Sequence, residues 1–393
     1  MRISLIGCGC GDLTGEAREA IDRAGLLIGA GRLLEQYANG RRAIEAVSAE
    51  SIREAIRTAD CGEVCVLFSG DSGFYSGARL LLPLLAGGQD ELRMLPGVSS
   101  VQLLAARLCR PWQDWKLCSA HGVDCDVVDA VCGGSPVFFL TGGRQSPDAL
   151  CRELTGAGLG FLRVSVGENL GTERERVRTG TAEDFAGERF APLSVLLADA
   201  APRPRRRTPG LPDGSFLRKD RVPMTRQEIR AAAFSRLGVG PEETCWDIGA
   251  GTGSVGIELA LHARRVCGIE RNGDALKLAE ENRRRLGAWN LRLVEGEAPE
   301  ALEGLPAPDA VFVGGSGGRL PDILRAVRRA NPRARVCVSA VTLETLRQAH
   351  EGLKELGYRT EVCQIAVSRG RETGELTMML AENPVWLITG NAE

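Results

Sequence analysis

Short runs of aliphatic and β-branched residues alternate along the chain with stretches in which apolar residues recur every three or four positions. Runs of this kind, bounded by Gly, Pro or Asp, are how strands buried on both faces read; the spaced stretches read as amphipathic helices. The pattern predicts strands at 3–6, 64–68, 92–95, 136–140, 162–166 and 193–198, with helices between them. After an interruption it predicts strands at 244–248, 265–270, 291–294, 310–313, 335–339 and 359–366, with 376–380 or 385–388 closing the sheet. Helices are expected at 226–237, 255–262, 274–286, 321–329 and 343–356, the first opened by Thr225 as N-cap with Glu228 three residues on, a capping box. Strand and helix alternating in this way define parallel α/β architecture, with antiparallel strands at the end of the second half.

The interruption, 200–214, replaces periodic apolar residues with Pro, Gly and Arg. It reads as a solvated linker over 201–222 between a domain at 1–200 and another at 223–393. A length of 393 residues suits two domains, and 44% hydrophobic with 25% charged residues excludes a disordered or fibrous chain. No apolar run approaches the roughly 18–20 residues of a membrane helix, and the N-terminus lacks the order of a signal peptide. A cytoplasmic protein is expected, without membrane association. The net charge of −2 argues against nucleic acid as the main partner. Before Ala200 there are 20 basic and 26 acidic residues, and after it 29 and 25, so the second half, at +4, is the better host for an acidic substrate. Thirteen cysteines, scattered and without a CxxC pair, read as reduced thiols, and no metal site is expected.

In the second half, Trp246-Asp247-Ile248-Gly249-Ala250-Gly251-Thr252-Gly253-Ser254 joins a strand to a helix. Glycines let the backbone turn sharply and a ligand approach, and a helix N-terminus offers unpaired N–H groups. A nucleotide-like ligand is the natural guest, and Glu270, ending the next strand, is where an acid accepts ribose hydroxyls. Residues 251–256 also fit GxGxxG, which keeps a nicotinamide oxidoreductase open. The wider string resembles the first motif of the class I S-adenosylmethionine methyltransferases. That resemblance implies cofactor contacts from Asp247, Gly249, Ala250, Gly251, Thr252, Gly253 and Glu270, and from Ala298 in Gly296-Glu297-Ala298-Pro299.

In the first half, Ile6-Gly7-Cys8-Gly9-Cys10-Gly11-Asp12 is followed by Ser69-Gly70-Asp71-Ser72-Gly73, Pro96-Gly97-Val98-Ser99-Ser100, Ser119-Ala120-His121-Gly122 and Glu168-Asn169-Leu170-Gly171. Together these resemble the class III, or tetrapyrrole, methyltransferases. The likeness implies a cofactor held between two α/β subdomains, largely by main chain, at Gly7, Gly9, Gly11, Gly70, Asp71, Ser99 and Ser100. His121 is a candidate acid or base. Cys10 and Ser72 stand where that family usually carries proline, so these loops are expected to be more pliable.

The second half adds 221–230, Ile269-Glu270-Arg271-Asn272, Gly314-Gly315-Ser316-Gly317-Gly318 and Ala340-Val341-Thr342-Leu343-Glu344. With these, nearly the whole chain is similar to the decarboxylating precorrin methyltransferases of cobalamin synthesis. The resemblance implies methylation of precorrin-6Y at carbons 5 and 15 and loss of carbon dioxide from the ring C acetate. Carbon 5 would fall to the first domain, and carbon 15 with the decarboxylation to the second. The cofactor is S-adenosyl-L-methionine, with Thr225 a further contact, and the assembly a homo-oligomer. Arg226, Arg230, Arg271 and Arg319 are candidates for the substrate's carboxylates. Thr342 and Glu344 are candidates for the acid step, with capping or packing as their plain alternative. Rival readings are a two-site methyltransferase on RNA or a protein side chain and a non-catalytic S-adenosylmethionine-binding module.

Overall fold

The computed structural model describes residues 1–9, 13–87, 89–120, 125–202, 208–220 and 222–392. The chain divides into two compact units, Met1–Ala130 with Ser135–Ala200, and Val131–Gly134 with Ala201–Glu393.

The first unit holds two five-stranded sheets. The strands β1 (Arg2–Cys8), β2 (Leu26–Gly29), β3 (Ala43–Glu45), β4 (Glu63–Ser69) and β5 (Glu91–Leu95) lie in the order β3-β2-β4-β1-β5, all parallel. Its interior strand β1 is buried on both faces, with Ile3, Leu5 and Ile6 fully buried, as helices covering both sides of a parallel sheet require. The strands β6 (Lys116–Ala120), β7 (Val137–Thr141), β8 (Arg163–Glu168), β9 (Arg176–Thr181) and β10 (Ser194–Ala198) form a mixed sheet, β6-β7-β10-β8-β9. Only the β6–β7 pair in it is parallel. Two α/β subdomains are therefore present, as expected.

In the second unit, β11 (Thr244–Ile248), β12 (Arg265–Glu270), β13 (Leu291–Glu295), β14 (Ala310–Val313), β15 (Arg335–Ala340) and β16 (Tyr358–Ile365) share one sheet with β19 (Val385–Ala392). Their order is β13-β12-β11-β14-β15-β19-β16, and β19 runs antiparallel to both its neighbours. The period of two divides the core. Trp246 and Ile248 pack with Val311, Val313 and Val336 on one face, while Cys245 packs with Phe312, Cys337 and Leu387 on the other. Of the two alternatives for closure, the run at 385–388 is the one in the sheet. The run at 376–380 instead becomes β18 (Leu376–Ala381), paired with β17 (Ser368–Thr373) in an exposed hairpin.

Two further expectations are corrected. From Thr208 the expected linker is a folded strap on the second unit: Gly210 and Leu211 donate backbone N–H groups to Glu258, Phe216 is buried, and Leu217 N–H donates to Asn282. The helix Gln227–Leu237 has Arg226 rather than Thr225 at its N-cap, without a side-chain cap. Its first free amide, Gln227 N–H, is met by Asp213 Oδ1 of the strap at 2.9 Å, so the cap comes from a distant residue and the capping box is absent.

Candidate cofactor sites

In the second unit the turn after β11 is built by conformation and space. Gly249, Gly251 and Gly253 have φ of +76°, +54° and +76°, the left-handed region that a side chain disfavours. A Cβ on Gly249 would lie 2.6 Å from Gly315 N, and one on Gly251 would lie 2.8 Å from Pro223 O. The turn is thus wedged between the loop after β14 and the segment preceding the helix Gln227–Leu237. A cleft of about 320 Å³ opens at the carboxyl ends of β11, β12, β13 and β14.

Of the expected contacts, Thr225, Asp247, Gly249, Ala250, Gly251, Glu270 and Ala298 all line this cleft, as does Arg271 at its rim, paired with Glu297 at 3.0 Å. Thr252 and Gly253 do not. Thr252 is wholly buried, its hydroxyl without a partner among the described residues, and Gly253 packs on Ala279. Glu270 accepts hydrogen bonds from Gly251 N–H at 2.9 Å and Asn272 N–H at 2.8 Å. Asp247 accepts one from Gly256 N–H at 2.7 Å. Burial pushes the Asp247 carboxyl up to about 7, aided by the nearby Glu270 charge and opposed by the Gly256 hydrogen bond. The cleft therefore joins glycine main chain, the three acids Asp247, Glu270 and Glu297, and the apolar walls of Val255, Ile269 and Phe312, a set that matches a cationic, ribose-bearing ligand. Val222, Pro223 and Phe312 also line it without having been expected; apolar residues in a wall carry no chemical signature in sequence.

Outside the cleft stand Arg226, Arg230, Arg319, Thr342 and Glu344. Arg230 is a correction: its side chain is fully buried and paired with Asp213 and Glu258, so it is closed to a substrate. Arg226 pairs with Asp213, and Arg319 with both oxygens of Glu300. Thr342 caps the helix Leu343–Glu355 by accepting Thr345 N–H at 3.2 Å, and Glu344 is exposed in its first turn.

In the first unit, three loops meet main chain to main chain at the carboxyl ends of the adjacent strands β4, β1 and β5. A Cβ on Gly7 would lie 2.6 Å from Gly97 N and 2.8 Å from Gly70 O, and one on Gly9 only 1.8 Å from Val98 O. Gly70 has φ +73°. Asp71 ties the loops by accepting Gly97 N–H at 3.1 Å and Gly73 N–H at 2.9 Å. Ser72 is buried and donates its hydroxyl to Leu95 O at 3.0 Å, so this loop is pinned where greater pliability was expected. Ser99 forms a capping box with Gln102 at the start of the helix Ser100–Arg107. Gly11, Cys10 and His121 lie outside the described residues. Cys8 is buried, its thiol pushed up to about 12 by burial.

A glycine-turn cleft in the second unit and a cluster of glycine loops at the strand ends of the first are the features of a bifunctional S-adenosylmethionine-dependent methyltransferase. Residues 2–186 match the family model for tetrapyrrole (corrin/porphyrin) methylases, and residues 216–390 that for the precorrin methyltransferase domain. The chain is 36% identical, over 72% of its length and 69% of that protein, to a precorrin-6Y C(5,15)-methyltransferase [decarboxylating] of Sinorhizobium sp. It is 43% identical, over 47% of its length and 97% of that protein, to a probable cobalt-precorrin-6B C(15)-methyltransferase (decarboxylating) of Pyrobaculum calidifontis. A solved precorrin-6y C5,15-methyltransferase from Geobacter metallireducens aligns with 47% of this chain and 98% of its own, at 39% identity and a TM-score of 0.45. The chain belongs to the decarboxylating precorrin-6Y C5,15-methyltransferase family of cobalamin biosynthesis. The nicotinamide reading of 251–256 gives way to it. Among the described residues no helix is long and apolar enough to cross a membrane.

Proposed function

We propose that this chain methylates precorrin-6Y at carbon 5 with its first unit, and at carbon 15 with its second, which also releases carbon dioxide from the ring C acetate. The carrying observation is that one chain holds a glycine-turn cleft in one unit and a separately built glycine-loop cluster in the other, each in a unit matched by a different methylase model. The relative named for the C15 step alone aligns with 47% of the chain, about the size of one unit, which supports the division of labour.

The acceptor is an electron-rich ring carbon. Bound in either unit, S-adenosylmethionine would supply an electrophilic methyl group on a sulfonium. Its transfer to a neutral carbon disperses charge, so the residues must orient more than they must activate. In the second cleft Glu270 and the Gly249–Gly251 main chain would hold the donor, whose positive charge would favour the ionised form of Asp247. Arg271 at the rim attracts a substrate carboxylate in a half whose net charge is +4. Glu344, at the carboxyl end of β15, gives the proton that replaces carbon dioxide, on a helix that Thr342 caps. In the first unit His121 serves as acid or base. The enzyme works in the cytoplasm as a homo-oligomer, and the exposed apolar Leu376, Met378 and Met379 on the hairpin support self-association.

Incubating the protein with precorrin-6Y and labelled methyl donor, followed by mass spectrometry, tests the reading. The expected product has gained two methyl groups and lost carbon dioxide; a chain that adds one methyl group, or adds two and retains the carboxylate, refutes it.

A further inference from the structure

Arg230, expected to meet substrate, lies instead at the centre of a buried ion network behind the second cleft. Its Nη1 donates to Asp213 Oδ1 at 2.9 Å and to Thr225 O, its Nη2 to Leu211 O, and its Nε to Glu258 Oε1 at 3.3 Å. The guanidinium stacks 4.6 Å from the Phe216 ring centroid. Glu258 also accepts the Gly210 and Leu211 N–H groups, and Asp213 the Gln227 N–H. Arg226, Arg218 and Arg369 approach the other oxygen of Asp213 at 3.4, 3.8 and 3.9 Å.

Two of these partners link the network to elements of the cleft. Thr225, whose carbonyl Arg230 holds, lines the cleft in the same segment as Pro223, whose carbonyl lies against Gly251. Glu258 stands on the helix Ser254–Ala260, which begins where the glycine turn ends. Arg230, Asp213 and Glu258 themselves do not line the cleft. A buried ion network of this kind adds little stability over an apolar replacement, because desolvation offsets the attraction. What an arginine fork with fixed partners does supply is geometry.

We propose that Asp213, Arg230 and Glu258 are positioning residues for the second methyl transfer: they fix the 222–225 wall against the glycine turn so that the cleft is preformed for its ligand. This rests on the cleft being the S-adenosylmethionine site. The strap is therefore part of the cofactor site without touching the cofactor.

Hydrogen exchange on the full wild-type chain, with and without S-adenosylhomocysteine, provides the first test. Binding is expected to slow the amides of Ala250 and Gly251 and also those of Gly210 and Leu211, behind the cleft. Slowing at the turn without slowing at the strap overturns the positioning role and leaves the cleft reading intact; no slowing at the turn overturns the cleft reading itself. The second test is kinetic. In the full chain, Asp213→Asn and Arg230→Lys are expected to raise KM for S-adenosylmethionine at the second unit about tenfold, with kcat at saturation within about twofold of wild type. Wild-type KM in both variants, or a fall in kcat with KM unchanged, overturns the inference. Should either variant fail to fold, the wild-type exchange experiment still decides.

Discussion

Glu270, at the end of β12, accepts the Gly251 backbone N–H on one carboxylate oxygen and the Asn272 N–H on the other. The acid is fastened to the glycine turn while it lines the cleft. A carboxylate has about four acceptor positions, so two remain for a ligand's hydroxyl groups. Glu270→Ala removes both the anchor and those acceptors. It is expected to weaken S-adenosylhomocysteine at the second cleft by about 10- to 100-fold, the loss of one or two charge-assisted hydrogen bonds. Calorimetry of the full chain should show two binding events in wild type and one tight event in the variant. Equal weakening of both events would mean that Glu270 does not belong to the second cleft alone.

The converse variant addresses the first unit. Gly9→Ala would place a methyl group 1.8 Å from Val98 O, a main-chain atom that cannot rotate away. The loops after β1 and β5 must separate, at a cost of about 1–3 kcal/mol of local strain. Loss of the first binding event is expected, with the second retained and product carrying no new methyl group at carbon 5.

Asp247 makes the second unit's stability depend on pH. Its carboxyl is raised from an ordinary 3.8 to about 7 by burial, so the folded chain holds a proton that the unfolded chain loses. For a raised acid, stability falls as pH rises from about 4 and levels off above about 7. Asp247→Asn, whose amide oxygen still accepts Gly256 N–H, is expected to melt above wild type at pH 8 and together with it near pH 4. It should also bind S-adenosylhomocysteine less tightly. Identical melting curves at pH 8 would show that the carboxylate is already compensated.

Glu344→Gln separates the two reactions assigned to the second unit. Mass spectrometry is expected to show a methylated product that retains its carboxylate, because the amide cannot deliver the proton. Normal release of carbon dioxide would remove Glu344 from the chemistry and leave it a first-turn helix acid.

Much of the second unit was legible in sequence because its strands are buried on both faces. Thr244–Ile248, Arg265–Glu270 and Ala310–Val313 are short, mostly apolar segments buried along nearly their whole length, and their ends coincide with the expected strands. Strands without that signal were missed: Ser368–Thr373 is exposed throughout, Arg176–Thr181 alternates polar residues at an edge, and Ala43–Glu45 has three residues. The glycine turns were readable because positive φ and close main-chain approach leave little choice but Gly. Arg230 was misassigned for the opposite reason. An arginine near a motif looks the same whether its partner is a substrate or a half-buried acid seventeen positions upstream, and only the fold brings Asp213 to it.

The folded strap also dictates where the polypeptide tolerates scission. A fragment starting at Val222 would carry Arg230 into the interior with Glu258 but without Asp213, and would leave the Glu258 carboxylate with neither strap amide. A fragment starting at Pro202 keeps all of them. Co-expression of two separately encoded halves should therefore yield a well-behaved second half only when the cut falls upstream of Thr208.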